Sequence, residues 1–193
     1  VQDLAIREAI DGGAISSDAG ALLLGATDRA IQLMDRFASC FHDERRQDLI
    51  EHEIVTLVGQ RVFGIALGYE DLNDHDDLRH DPMMAVLAGK LAAQREECAP
   101  VAGKSTLNRL ELSKLEPTRY HKISHNPAAI KRLLVDLFLE AHARAPNEII
   151  LDLDATDDPV HGEQEGRFFH GYYDCYCYLP FYVFCGRHLL AAK

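Results

Sequence analysis

The spacing of apolar residues changes once along this chain, near Pro146, and that change constrains the fold more than any single motif. Before it, apolar side chains recur at helical spacing; after it they fall in short runs rich in Tyr, Phe and Val that read as strands. In "SSDAGALLLGATDRAIQLMDRFASCF" the residues Leu23, Ala26, Ala30, Leu33 and Phe37 share one helical face, with Ser17 or Asp18 as the predicted cap. "RQDLIEHEIVTLVGQRVFGIALGY" repeats the pattern through Ile50, Ile54, Leu57, Val58, Arg61 and Ile65. Its Gly59, Gly64 and Gly68 predict close packing against a neighbour or an end near Gly68. "DPMMAVLAGKLA" and "KSTLNRLELSK" read as short helices, the second capped by Ser105. "HNPAAIKRLLVDLFLEAHAR" reads as a helix with Asn126 as cap and Pro127 at its first position, stopping by Pro146.

"NEIILDLDA" then opens the β part. Gly186, between "FYVFC" and "RHLLAA", marks a hairpin turn, so three strands are expected. The expected class is α+β, with a helical region over 1–146 and a β region over 147–193. Three strands ending at "LLAAK" leave a sheet face with no helix to cover it, so the β region reads as the start of a domain cut short. With 193 residues and 47% hydrophobic content the chain can form one ordinary domain or two small ones with a real core. No window approaches a membrane span, and "VQDLAIREAIDGG" has no secretory pattern; a cytoplasmic protein without membrane partners is expected. Five cysteines without paired CxxC spacing suit reduced thiols, although Cys175 and Cys177 fall on one face of a strand.

The formal charge of −11 argues against nonspecific nucleic-acid binding, which needs Lys and Arg in excess on at least one surface. The residues that bear on chemistry are acidic. In "ILDLDATDDPVHGEQEG" Asp152 and Asp154 alternate with Leu151 and Leu153, so a strand would present both carboxylates on one face and bury the leucines on the other. Two carboxylates so spaced suit a hard divalent cation such as Mg2+ or Mn2+, which takes oxygen ligands and keeps waters that phosphate can displace. "YEDLNDHDDLRHDP" is acidic too, but it lacks the Gly and terminal Glu of a calcium loop and reads as a connection closed by local side-chain to backbone bonds. Arg79 in that segment, and Lys104, Asn108 and Arg109 on the following helix, are the candidates for contact with a DNA backbone.

The stretch from Ile150 to Lys193 closely resembles the first catalytic segment of bacterial insertion-sequence transposases with the RNase-H-like DDE fold, specifically the group numbered 1380; "GQRVFGIALGYEDLNDHDDLRHDP" and "KSTLNRLE" resemble that group's helical N-terminal region. The resemblance implies metal-dependent DNA cleavage and strand transfer moving an insertion sequence, in a homodimer. Three carboxylates of such a site hold two divalent ions for in-line displacement at phosphorus. It also implies that Asp154, in Asp154-Ala155-Thr156, is the first catalytic carboxylate, with Asp152 as an auxiliary metal ligand. The second Asp and the Glu are expected on later elements, so the segment by itself is expected to be inactive. Two other readings compete. In a haloacid-dehalogenase-type phosphatase, Asp152 would be nucleophile and Asp154 acid/base, but that fold needs a parallel sheet with crossover helices. In a transposase remnant, the helical part would only dimerise or bind DNA ends, without catalysis.

Overall fold

A computed structural model describes residue 16 and residues 18–193. The chain divides into two compact units between Asn126 and Pro127. The described residues include no helix long and apolar enough to cross a membrane.

The first unit is mostly helical. It runs through α1 (Leu22–Ile31), α2 (Leu33–Ala38), β1 (Phe41–Asp43), α3 (Ile54–Ala66), α4 (His75–Leu78), α5 (Pro82–Leu87), α6 (Lys104–Glu111) and β2 (Ile123–His125), with single 3-10 turns at Ala19–Ala21, Gln47–Leu49 and Leu72–Asp74. The helix expected from residue 18 to 41 is broken at Gln32, which takes a left-handed conformation with φ of 53°. Asp28 shapes the break from both sides, its carbonyl accepting from the Gln32 N–H and its carboxylate from the Met34 N–H at 2.9 Å. The break rotates the buried stripe. Leu33 and Phe37 pack on the core as expected, but Leu23, Ala26 and Ala30 face solvent and Ala21, Gly25 and Met34 are buried instead. Ser17 lies outside the described residues. Asp18 does not cap; its carboxylate accepts a 2.8 Å hydrogen bond from the Tyr69 hydroxyl.

The core is centred on α3, whose Leu57, Val58 and Phe63 pack with Leu78, Met84, Val101, Leu107, Leu110 and Ile123. The glycines of α3 act as their spacing suggests. A Cβ on Gly64 would come within 2.8 Å of the His75 ring, and Gly68, with φ of 93°, ends the helix. Arg61 closes the last turn by donating to the Tyr69 and Glu70 carbonyls while pairing with Glu111. Gln60, fully buried, accepts from the Ala102 N–H at 2.8 Å and donates to the Ala102 carbonyl at 2.6 Å. Its amide nitrogen also lies 3.1 Å from His75 Nδ1. That nitrogen can only donate, so Nδ1 accepts and the buried imidazole is neutral. Burial, then the nearby Arg61, push the His75 pKa below its ordinary value in agreement. Ser105 is not the cap of α6. Gly103 holds that position, and the Asp76 carboxylate accepts from the Lys104 N–H at 3.1 Å.

The second unit contains α7 (Pro127–Glu140) and six strands: β3 (Asp152–Ala155), β4 (Asp158–Pro159), β5 (Phe168–His170), β6 (Cys175–Tyr178), β7 (Phe181–Cys185) and β8 (His188–Ala192). β3, β7 and β8 form the expected antiparallel three-stranded sheet, with Gly186 at φ of 57° in the β7–β8 turn. A second antiparallel sheet, in the order β4-β6-β5, was not expected. The change of hydrophobic period placed the boundary at 146/147, whereas α7 packs in the same compact unit as the strands. Phe138 of α7 and His142, just past its end, lie 5.6 and 5.5 Å, ring to ring, from His188 of β8.

Candidate functional site

Asp152 and Asp154 lie on β3, the edge strand of the β3-β7-β8 sheet. Antiparallel pairing sets Asp152 opposite Phe184 and Asp154 opposite Tyr182, so both carboxylates share one face with two aromatic rings of β7. Leu153 opposite Val183 points the other way. That is also the side of Cys185 and its partner His188, against which α7 packs. The expectation that Leu151 and Leu153 are buried is not met, since they are 54% and 62% exposed. The cause is where the helix sits. α7 packs over β8, on the far side of β7 from β3, and does not reach the leucines.

The two aspartates are solvent-exposed and form no ion pair among the described residues. The Thr156 hydroxyl donates to Asp154 Oδ2 at 3.2 Å and biases that carboxylate toward one orientation. Two exposed carboxylates on one face of a strand suit a divalent cation that retains waters. A closed site needs a third protein ligand, and no group of three His, Cys, Asp or Glu residues able to hold a metal occurs among the described residues.

The acidic segment from Tyr69 to Pro82 is differently employed. Asp71 accepts from the Asn73 N–H at 2.8 Å, and Asp81 caps α5 by accepting from Met83 and Met84 at 2.7 and 3.0 Å. Asp76 binds both the backbone N–H and the ammonium of Lys104, which hold its carboxyl below the usual range. His75 is in the core. Of the residues expected at DNA, Lys104 is occupied by Asp76 and Asn73, and Arg79 is half-buried against Gly103. Asn108 and Arg109 are exposed on α6. Arg109 borders a hollow in which Arg45, Arg119 and Lys122 also take part. Those three escaped the sequence reading; the short run "RYHK" at 119–122 was the local sign of the cluster.

The remaining clusters are packing. All five thiols are free. In "RFFHGYYDCYCY" the Arg167 guanidinium lies 4.4 Å over the Tyr176 ring, and Phe169 meets the same ring edge-on at 5.4 Å.

The family described as "Transposase DDE domain group 1" matches residues 1–193, so the chain belongs to that family. No curated protein and no solved structure matches it. The mixed helices and small antiparallel sheets are consistent with an α+β domain of this kind. Membership implies an enzyme of DNA transposition with DNA as partner, and enzymes of this class generally use divalent metals. A haloacid-dehalogenase-type phosphatase is not favoured, because every strand that pairs with β3 or β7 is antiparallel; nor is a non-catalytic remnant.

Proposed function

We propose that this DDE transposase cleaves and joins DNA in a metal-dependent reaction that moves an insertion sequence of the group numbered 1380, on an RNase-H-like catalytic fold. Asp154 is the first catalytic carboxylate and Asp152 an auxiliary metal ligand. The observation that carries this reading is the register of β3, which puts both carboxylates on one face, where they pair with no cation among the described residues. Carboxylates elsewhere in the chain that serve structure are tied to N–H groups or to Lys and Arg. A bound Mg2+ or Mn2+ supplies Lewis-acid activation of the attacking oxygen and stabilisation of the leaving one. Asp154 contributes a charged oxygen ligand whose orientation Thr156 restrains. Asp152, two residues away on the same face, adds negative charge that raises the affinity for a divalent ion. The strand holds both side chains on a paired backbone, which limits the reorganisation needed when substrate arrives.

The described residues contribute only this pair to the site, so nicking needs further carboxylates, and a homodimer is the proposed active form. Five free thiols suit a reducing compartment, the cytoplasm. The test is Mg2+- or Mn2+-dependent nicking of labelled DNA by the present chain and by a version extended through its reading frame, each beside its Asp154→Ala variant. Activity in the extended form that vanishes in the variant is expected. Undiminished nicking by Asp154→Ala would overturn the assignment.

A further inference from the structure

We propose that the first unit carries a DNA-backbone binding cleft formed by α6, the 119–122 segment and the chain around Arg45, with Arg109, Arg119 and Lys122 as the phosphate contacts and Tyr120 as a stacking face. Two adjoining hollows, of about 420 and 570 Å³, share Arg45, Thr106, Arg109 and Lys122 in their walls. The first is bordered by four permanent cations and by no carboxylate. In a chain of net charge −11 such a wall is a local reversal of sign, and it is what a polyanion needs.

The cations differ in how they are held. Arg45 is fixed by Asp43 at 2.7 Å and by the His52 carbonyl at 2.9 Å, so it is a rigid part of the wall. Arg109, Arg119 and Lys122 are exposed and form no ion pair among the described residues. Besides Asp43 behind Arg45, the acids at these walls are in the second hollow, where Glu51 is paired with Lys90 and Arg95 and Glu44 lies near His42. Arg119 rests 5.7 Å from the ring centroid of Tyr120, which is 77% exposed, a large aromatic surface beside cations. His121 Nδ1 is buried at the same wall without a hydrogen-bond partner.

A small anion would be served by one or two of these groups. Free cations spread along two joined hollows, with an aromatic face beside them, instead match a strand in which phosphates repeat and bases stack. The choice of DNA among polyanions rests on the transposition reading; the cationic cleft does not depend on Asp154.

The test is binding of fluorescein-labelled duplex and single-stranded DNA by the full chain in EDTA, so that no chemistry contributes, across a salt series. Arg109→Ala combined with Lys122→Ala is expected to weaken binding at least about tenfold and to flatten the salt dependence by about one phosphate contact per cation removed. Tyr120→Ala should weaken the single strand more than the duplex. Arg132→Ala, an exposed cation on α7, serves as the control and should leave both quantities unchanged. Equal affinity and slope in the folded cleft variants, or equal losses in the control, would overturn the cleft while leaving the Asp154 assignment to its own nicking test. Normal binding with no nicking would do the reverse.

Discussion

The two acidic stretches of this protein are alike in composition and opposite in use. Between Tyr69 and Pro82 the carboxylates of Asp71, Asp76 and Asp81 are engaged by N–H groups or by Lys104, fixing a 3-10 turn, the start of α6 and the start of α5. On β3, Asp152 and Asp154 pair with no cation among the described residues, and the bond given to Asp154 comes from the neutral hydroxyl of Thr156. Carboxylates engaged within the fold have little left to offer a ligand, whereas a pair held on a paired strand with its charge uncompensated is disposed to take an external cation. Acid density therefore does not distinguish the two stretches; what the carboxylates of Asp71, Asp76 and Asp81 touch does.

Alanine at each stretch should separate these roles, and the catalytic arm carries the largest effect. Asp154→Ala should cut nicking by roughly a thousandfold or more in the reading-frame-extended protein, while its unfolding free energy stays within about 0.5 kcal/mol of wild type. Chemical denaturation beside the nicking assay checks both. A large stability loss in Asp154→Ala would mean that the exposed carboxylate is structural after all, and the contrast would fail.

Acid should act on the first unit through its buried histidines and paired carboxylates. Burial, and then the Lys90 ammonium, lower the His52 pKa from 6.5 to about 4, and His75 is lowered by burial and by Arg61. An imidazole that resists protonation when folded, but accepts a proton near pH 6.5 when unfolded, favours the unfolded chain as pH falls. Stability is therefore full above pH 6.5 and declines through the window between 6.5 and about 4. Asp43 and Glu51 continue the loss at lower pH. Burial alone would raise both carboxyls, but bonds from Arg45 to Asp43, and from Gln94 and Lys90 to Glu51, bring them below their usual values. The expected cost at His52 is on the order of 2 kcal/mol between pH 7 and 4, and His52→Gln should flatten that part of the profile. A pH-independent denaturation midpoint across this range would refute it.

The structural arm of the comparison is smaller. Asp81→Ala removes the cap that accepts two N–H bonds at the start of α5 and should cost about 1 kcal/mol, with nicking by the extended protein unchanged. Thermal denaturation at a fixed pH of 7.5 measures it, since both histidines are then neutral.

Much of this was legible in the order of residues, and what was not has identifiable causes. The spacing of Leu57 and Val58 and the glycines of α3 pointed to a tightly packed helix because local period and burial agree there. The turn at Gln32 is set by local bonds that Asp28 accepts from the Gln32 and Met34 N–H groups, which no apolar spacing records. The β1–β2 ribbon joins two three-residue strands more than seventy residues apart, Phe41 pairing with His125, and so leaves no periodic trace. The alternation in "ILDLDA" did predict that Asp152 and Asp154 share a face, since pleating alone decides it. It could not predict that Leu153 stays exposed, which depends on α7 lying over β8. The basic cleft was hidden for a third reason: Arg45, Arg109 and Lys122 are distant in sequence, and a net charge of −11 averages over them.

The smallest expected effect is at the bond that Thr156, the residue after β3, donates to Asp154. If Asp154 is a metal ligand, the Thr156 hydroxyl, 3.2 Å from Oδ2, is a positioning group that keeps the other oxygen turned outward. The bond is exposed, so its net worth is at the low end for hydrogen bonds, and Thr156→Val should raise the Mn2+ concentration needed for half-maximal nicking only about threefold. Nicking at saturating Mn2+ and the denaturation midpoint should stay close to wild type, and Thr156→Ser should restore the metal dependence because it returns the donor. A merely structural threonine would move the midpoint and not the metal titration, and serine would then fail to rescue what the lost methyl group had packed.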